Sequence, residues 1–341
     1  PYTDHFHNEV INGVYYRETA FAIKILLTEW KRTNKLIYKE SSIDSIKALV
    51  KVLSNEQLEL GIDEPVYALR EIKYRKGSIP STILLLFALK ESLELLGDSS
   101  ILIDTKIISK FLNKCKLGKG RYYHDVIDHN TAKYHHHVLN TSAMALAYYS
   151  YVIDENHKIE FAGERSDIVN RLIKSQRKDG FWPYIEPNKL QKLFFPYIKL
   201  IHNNSKNLFL SDASIYFGDA VHHCITLRLL LESYSTLKDD KYSMSRVDTS
   251  IVLAWQFIKS NLIDIKDNMY KFNFDFEPKL KSIRYCNFMD TSAYFYIIEI
   301  ANSLKEKEFI SKDEHFTVTT YICNYIVNNL MNSKTIINPY D

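Results

Sequence analysis

Three polar residues beside the starts of apolar runs could carry acid–base chemistry. Asp219 and His222 fall in Gly218-Asp219-Ala220-Val221-His222-His223-Cys224, and Asp290 falls in Asn287-Phe288-Met289-Asp290-Thr291-Ser292-Ala293. Asn140 opens a similar run in His137-Val138-Leu139-Asn140-Thr141-Ser142-Ala143. An imidazole can give or take a proton near neutral pH, and a nearby carboxylate can orient it or act as the acid. His222 is the expected acid/base, with Asp219 and Asp290 as its orienting or acidic partners. Adjacent helical residues point about 100° apart, so His222 and His223 cannot face one cavity equally. Each residue also has a structural reading. Asn140, Asp219 and Asp290 are preferred helix N-cap types, and a histidine can be a buried, hydrogen-bonded core residue.

Two aromatic stretches supply possible substrate contacts. Lys116-Leu117-Gly118-Lys119-Gly120-Arg121-Tyr122-Tyr123-His124-Asp125 and Lys174-Ser175-Gln176-Arg177-Lys178-Asp179-Gly180-Phe181-Trp182-Pro183-Tyr184 each follow a helix, turn on glycine and end in aromatics. Tyr122, His124, Asp125, Trp182, Tyr184 and the nearby Glu186 are the expected binding residues, together with Asn140 and His223. Trp182 could equally pack between repeats.

Other chemistries lack their signals. The cluster His124, Asp125, Asp128, His129, His135, His136 and His137 matches no standard zinc spacing, so a polar rim is expected there rather than a metal. No Gly-rich phosphate loop, G-x-S-x-G elbow or H-E-x-x-H is present. A carboxylate pair for glycosidic cleavage could come from Asp125, Glu186, Asp219 and Asp290. No cofactor is expected.

The elements that position these residues read as helices. Only 9 Gly and 8 Pro occur in 341 residues, which argues against a many-turned β fold. Periodicity predicts helices over 10–32, from Ser41-Ser42 through Leu53, over 81–96, 104–114, 138–152, 166–176, 218–235, 248–261, 287–301 and 314–330. Residues 62–76 read as a short helix and a loop, and 188–210 as an insertion with a short helix over 189–201. Ser78-Ile79-Pro80-Ser81 is a helix start with proline in the first turn, and Gly97-Asp98 is a stop. Asp267 to Phe274 repeats the turn-plus-aromatic signal in weaker form. One unit recurs: polar helix start, apolar helix, return helix, turn, aromatic hairpin. Five or six such pairs close economically into an all-α (α/α) toroid with short aromatic β-hairpins at one mouth. A single domain over 1–341 is expected, with N-terminal helices over 1–76 and core repeats over 77–341. Inner-helix N-termini would converge on that mouth and favour anionic or polyhydroxyl ligands.

The balance of 44 basic and 41 acidic residues, net +3, gives nucleic acid no electrostatic foothold. Cys115, Cys224, Cys286 and Cys323 are dispersed without a CxxC pair, which fits a reducing, cytoplasmic setting. No stretch reaches the roughly 18 apolar residues of a membrane span. The start at Pro1 is no signal peptide, and its lack of Met suggests a further N-terminal domain upstream.

Gln176 to Tyr184 resembles the Q-x-x-D-G-x-W repeat of terpene-cyclase and prenyltransferase toroids. The order Asn140-Thr141, Gln176 to Tyr184, Asp219-Ala220-Val221-His222 and Asp290-Thr291-Ser292-Ala293 is similar to a group of bacterial α/α-toroid proteins of exopolysaccharide and surface-glycan gene clusters. The likeness runs from about Gly118 to Ala301. It departs at the last station, where Thr291 or Ser292 stands at the group's His position. The D-x-D-D proton donor of class II terpene cyclases has Met289 at its middle acid. The Asp-x-Cys of zinc prenyltransferases has no counterpart. The resemblance implies an enzyme acting on a glycan or glycosylated intermediate, of lyase, epimerase or hydrolase type. An isoprenoid-diphosphate toroid and a non-catalytic scaffold for a peptide or protein partner are the alternatives.

Overall fold

The computed structural model describes residues 2–4, 9–11, 16–53, 55–68, 71–75, 77–97, 105–126, 138–153, 155–183, 186, 220–240, 244–262, 264–266, 269–271 and 291–327. Among these residues the chain is mostly α-helical, as expected from its composition, with four two-stranded antiparallel ribbons. The helices are α1 Tyr16–Thr33, α2 Leu36–Val52, α3 Asn55–Leu60, α4 Ile79–Leu96, α5 Ile108–Cys115, α6 Leu139–Ala147, α7 Glu155–Lys158, α8 Ala162–Ser175, α9 Ala220–Glu232, α10 Tyr234–Asp239, α11 Met244–Phe257, α12 Thr291–Glu306 and α13 Lys312–Tyr325. The ribbons are β1 Tyr2–Asp4 with β2 Glu9–Ile11, β3 Glu64–Ala68 with β4 Glu71–Arg75, β5 Lys116–Gly118 with β6 Arg121–Tyr122, and β7 Asp264–Lys266 with β8 Met269–Lys271.

The chain divides into two compact units, 1–137 with 144–168, and 138–143 with 169–341. In the first, α1 packs on α2 and on α4, and α3 packs on α5. Helix α4 shows why the sequence chooses this arrangement. The Ser78 hydroxyl accepts from the Ser81 N–H, Pro80 sits in the first turn, and Gly97 ends the helix at φ 66°. The whole run from Ile79 to Leu89 is buried, so this helix is covered on every side. Each buried leucine there contributes roughly 1.5–3 kcal/mol. Helix α1 instead buries one stripe, Ala20, Ile23 and Leu27, against Ile46 and Leu49 of α2 and Leu85, Ala88 and Leu89 of α4. In the second unit α9 is buried over most of its length, packing on α12, and α12 packs on α13.

The repeating unit has a physical joint. Gly120, at φ 63°, turns between β5 and β6, and a Cβ there would stand 2.3 Å from the Asp167 carbonyl oxygen of α8. Gly180, at φ 93°, turns after α8, and a Cβ there would stand 2.1 Å from the Leu253 carbonyl oxygen of α11. Each glycine lets a turn lie directly on the backbone of the next return helix, at a φ that side-chain-bearing residues avoid.

Several boundaries differ from expectation. Helix α2 begins at Leu36, and Ser42 and Ser45 lie inside it, donating back to the carbonyls of Tyr38 and Ser41, so these serines are not a cap. Residues 64–68 and 71–75 pair as an antiparallel ribbon where a short helix and a loop are expected. Residues 9–11 are a strand before α1. Helices α8 and α11 begin earlier than expected, at Ala162 and Met244. The expected insertion over 188–210 lies outside the described residues. No described helix is long and apolar enough to cross a membrane.

Candidate functional site

Helix α9 carries the histidine pair on its first turn. Ala220, Val221, His223 and Cys224 are buried, and His222 is the member of that turn that reaches solvent. The 100° step between neighbours explains the split: His223 is enclosed by the core and His222 is partly exposed.

His223 is part of the core, with no exposed surface. Its Nδ1 accepts from the Trp182 backbone N–H at 3.2 Å, which places the ring proton on Nε2, 3.3 Å from the Ala254 carbonyl. Its ring stands 5.3 Å from Phe181, 5.5 Å from the Trp182 ring and 5.2 Å from Phe257. The expected substrate contact is therefore corrected: His223 pins the aromatic segment to α9 and α11. Trp182 is corrected with it. The indole is 1% exposed, and its Nε1–H donates to the Leu172 carbonyl at 2.9 Å. No face of that ring is open to a sugar, and the packing reading is the one observed.

Glu186 is also held. Its Oε2 accepts from Arg171 Nε at 2.9 Å and Nη2 at 2.6 Å, and its Oε1 accepts from the Ser175 hydroxyl at 3.1 Å. This fork fixes Glu186 to α8. Tyr122 is fully buried, and its hydroxyl donates to Glu164 at 2.5 Å while Lys116 Nζ pairs with the other Glu164 oxygen at 2.6 Å. Burial, with the neighbouring Tyr149 and Glu164, pushes its phenol far above the ordinary range, so it stays a neutral donor. Tyr122 is a tie between β6 and α8 and not an open platform. Burial likewise pushes the Cys115 thiol up, which removes it as a nucleophile.

His124 and Asp125 are more open. His124 Nδ1 lies 2.6 Å from Asp125 Oδ1, with the two side chains 13% and 21% exposed. The His124 carbonyl accepts from the Ile79 N–H at the head of α4 at 2.8 Å, which anchors the pair. A carboxylate on one ring nitrogen fixes the imidazole's orientation, an arrangement suited to binding or proton exchange.

Asn140 is the second residue of α6 and is 4% exposed, and its Oδ1 has no hydrogen-bond partner. It is therefore no N-cap. The Thr141 hydroxyl beside it donates to the Val138 carbonyl at 2.6 Å. Asp219, Asp290 and Tyr184 lie outside the described residues, as does the histidine run at 129–137. Among the described residues no three His, Cys, Asp or Glu side chains gather in a way that could hold a metal ion.

Sequence reading missed Arg228. It lies inside the apolar run of α9, is 3% exposed, and places Nε 2.7 Å from Glu299 Oε2 of α12, with the guanidinium 6.0 Å from the Tyr296 ring. The distance makes an ion pair, while the angle is too poor for that Nε–H to bond. A lone charge between Ile225 and Leu231 was the available signal, since an unpaired buried charge is costly.

No protein-family model matches the chain, and no curated protein matches it. Among solved structures it is similar to a glycosyl hydrolase family 88 protein from Bacteroides vulgatus, at 8% identity and a TM-score of 0.49, covering 81% of this chain and 70% of that one.

Proposed function

We propose that the chain is an enzyme acting on a glycan or glycosylated intermediate, with His222 exchanging the proton. The observation that carries this reading is the division of labour on the first turn of α9. His223 is locked by bonds at both ring nitrogens, so the backbone of His222 is fixed while that residue keeps part of its surface exposed. A general acid or base needs that combination of fixed backbone and accessible ring. On sequence grounds Asp219, just before α9, and Asp290, just before α12, are assigned to orient or assist it. His124 and Asp125 are assigned to substrate binding.

His222 at the head of α9 favours a hydroxyl-bearing substrate, which has a proton to exchange with an imidazole, over an isoprenoid tail, which has none. Closure of the helical hairpins into one α/α ring, kinship with the exopolysaccharide-cluster group and a cytoplasmic location belong to the same proposal. Whether the step is elimination, epimerisation or hydrolysis is set by where the proton goes. The test is a panel of neutral oligosaccharides, uronic-acid polysaccharides and prenyl diphosphates, read for new reducing ends, unsaturated products and inverted sugars. Turnover of a glycan supports the reading, and turnover of prenyl diphosphates alone overturns it.

A further inference from the structure

The amide of Asn140 is a buried polar group with an unanswered oxygen. Such atoms are rare in folded proteins, because each forfeits the hydrogen bonds water would have given it. Residues 138–143 belong to the second unit, the unit that holds His222. Asn140 stands on the first turn of α6, where backbone N–H groups lack intrahelical acceptors. Thr141 does not answer the amide oxygen, since its hydroxyl is committed to Val138. The head of this helix therefore offers an acceptor, Oδ1, beside main-chain donors.

We infer that Asn140 and the first turn of α6 form a subsite for a ring hydroxyl of an uncharged sugar. This deepens the glycan reading and rests on it. A hydroxyl is the small group that donates to Oδ1 and accepts from a backbone N–H at once. A carboxylate or phosphate oxygen has no proton to give Oδ1, and two acceptors facing each other in a buried place repel. The subsite thus selects for a neutral sugar unit, even where other units of the same glycan are acidic.

The experiment uses methyl α-D-glucopyranoside, methyl β-D-galactopyranoside, glucuronate and inorganic pyrophosphate as probes, with binding to the full chain followed by saturation-transfer NMR. Asn140→Ala and the volume-matched Asn140→Leu are compared with wild type, and Lys174→Ala, at an exposed position of α8, is the control. A neutral glycoside binds the wild type and Lys174→Ala alike and binds both Asn140 variants about tenfold more weakly, the loss of one good hydrogen bond. The Asn140 variants keep or raise the melting temperature, because the orphaned oxygen has gone. Equal affinity in the Asn140 variants overturns the subsite while leaving the glycan reading intact. So does binding of the anions alone, or a melting temperature several degrees lower in both variants, which marks a structural amide. If the wild type binds no sugar and turns none over, the glycan reading falls first.

Discussion

Gln176 and Ser250 clasp each other across two helices. Gln176 Nε2 donates to the Ser250 carbonyl and to the Gly180 carbonyl, both at 2.9 Å, and the Ser250 hydroxyl donates back to Gln176 Oε1 at 2.6 Å. The glutamine of the Gln176–Trp182 stretch is thereby the bolt that joins the turn after α8 to α11. With three bonds at about 1 kcal/mol each, Gln176→Ala should lose roughly 2–3 kcal/mol. Urea unfolding checks this, and the double variant with Ser250→Ala should cost less than the sum of the two singles.

Gly180 is the second part of the joint. An added methyl would meet the Leu253 carbonyl oxygen at 2.1 Å, whereas at Gly97 a Cβ meets nothing within 4 Å. Both have positive φ, so the pair separates backbone strain from collision. Gly97→Ala should cost only the left-handed penalty, about 1–2 kcal/mol. Gly180→Ala should cost several kcal/mol more, visible as a much lower urea midpoint.

His223 should behave as a core residue. His223→Ala leaves the Trp182 N–H unanswered and opens a cavity beside Phe181 and Phe257, so a loss of about 3–5 kcal/mol is expected. Near-ultraviolet circular dichroism should show Trp182 losing its fixed environment. A stable His223→Ala with altered affinity for substrate would return this residue to the binding site.

These three residues show what could be read from the chain and what could not. The Asp179-Gly180 turn and the aromatic load after it were legible, because glycine and aromatic residues mark local structure. The meaning of that load was not. The acceptors and neighbours that make Trp182 and His223 core residues, Leu172, Ala254 and Phe257, depend on which helices become neighbours. The stop at Gly97 and the cap at Ser78 were readable for the same local reason. The pairing of 64–68 with 71–75 is hidden by charged residues that blur the alternation of both strands. The start of helix α2 is masked in sequence because Ser41 and Ser42 look like a cap when back-bonding to the preceding turn is invisible.

Tyr122 supplies a pH test. Its folded pKa is raised by burial and by the nearby Tyr149 and Glu164, while an unfolded tyrosine ionises near 10. A raised folded value gives stability that is complete below about pH 10 and is lost as pH climbs toward the folded value. Tyr122→Phe gives up the bond to Glu164, roughly 1.5–3 kcal/mol at neutral pH for a charged acceptor. The gap between variant and wild type should narrow above about pH 10. Urea midpoints at neutral and alkaline pH check both statements.

His222 is the residue on which the proposed chemistry rests most directly. The measurement is turnover of a responsive glycan by His222→Ala and His222→Gln beside wild type, with melting temperatures taken on the same samples. A proton-transferring His222 predicts a fall in kcat of about 10²–10⁴ with little change in melting temperature, and loss of the limb of the pH–rate profile that belongs to an imidazole. Wild-type kcat in both variants, with that limb intact, would contradict it.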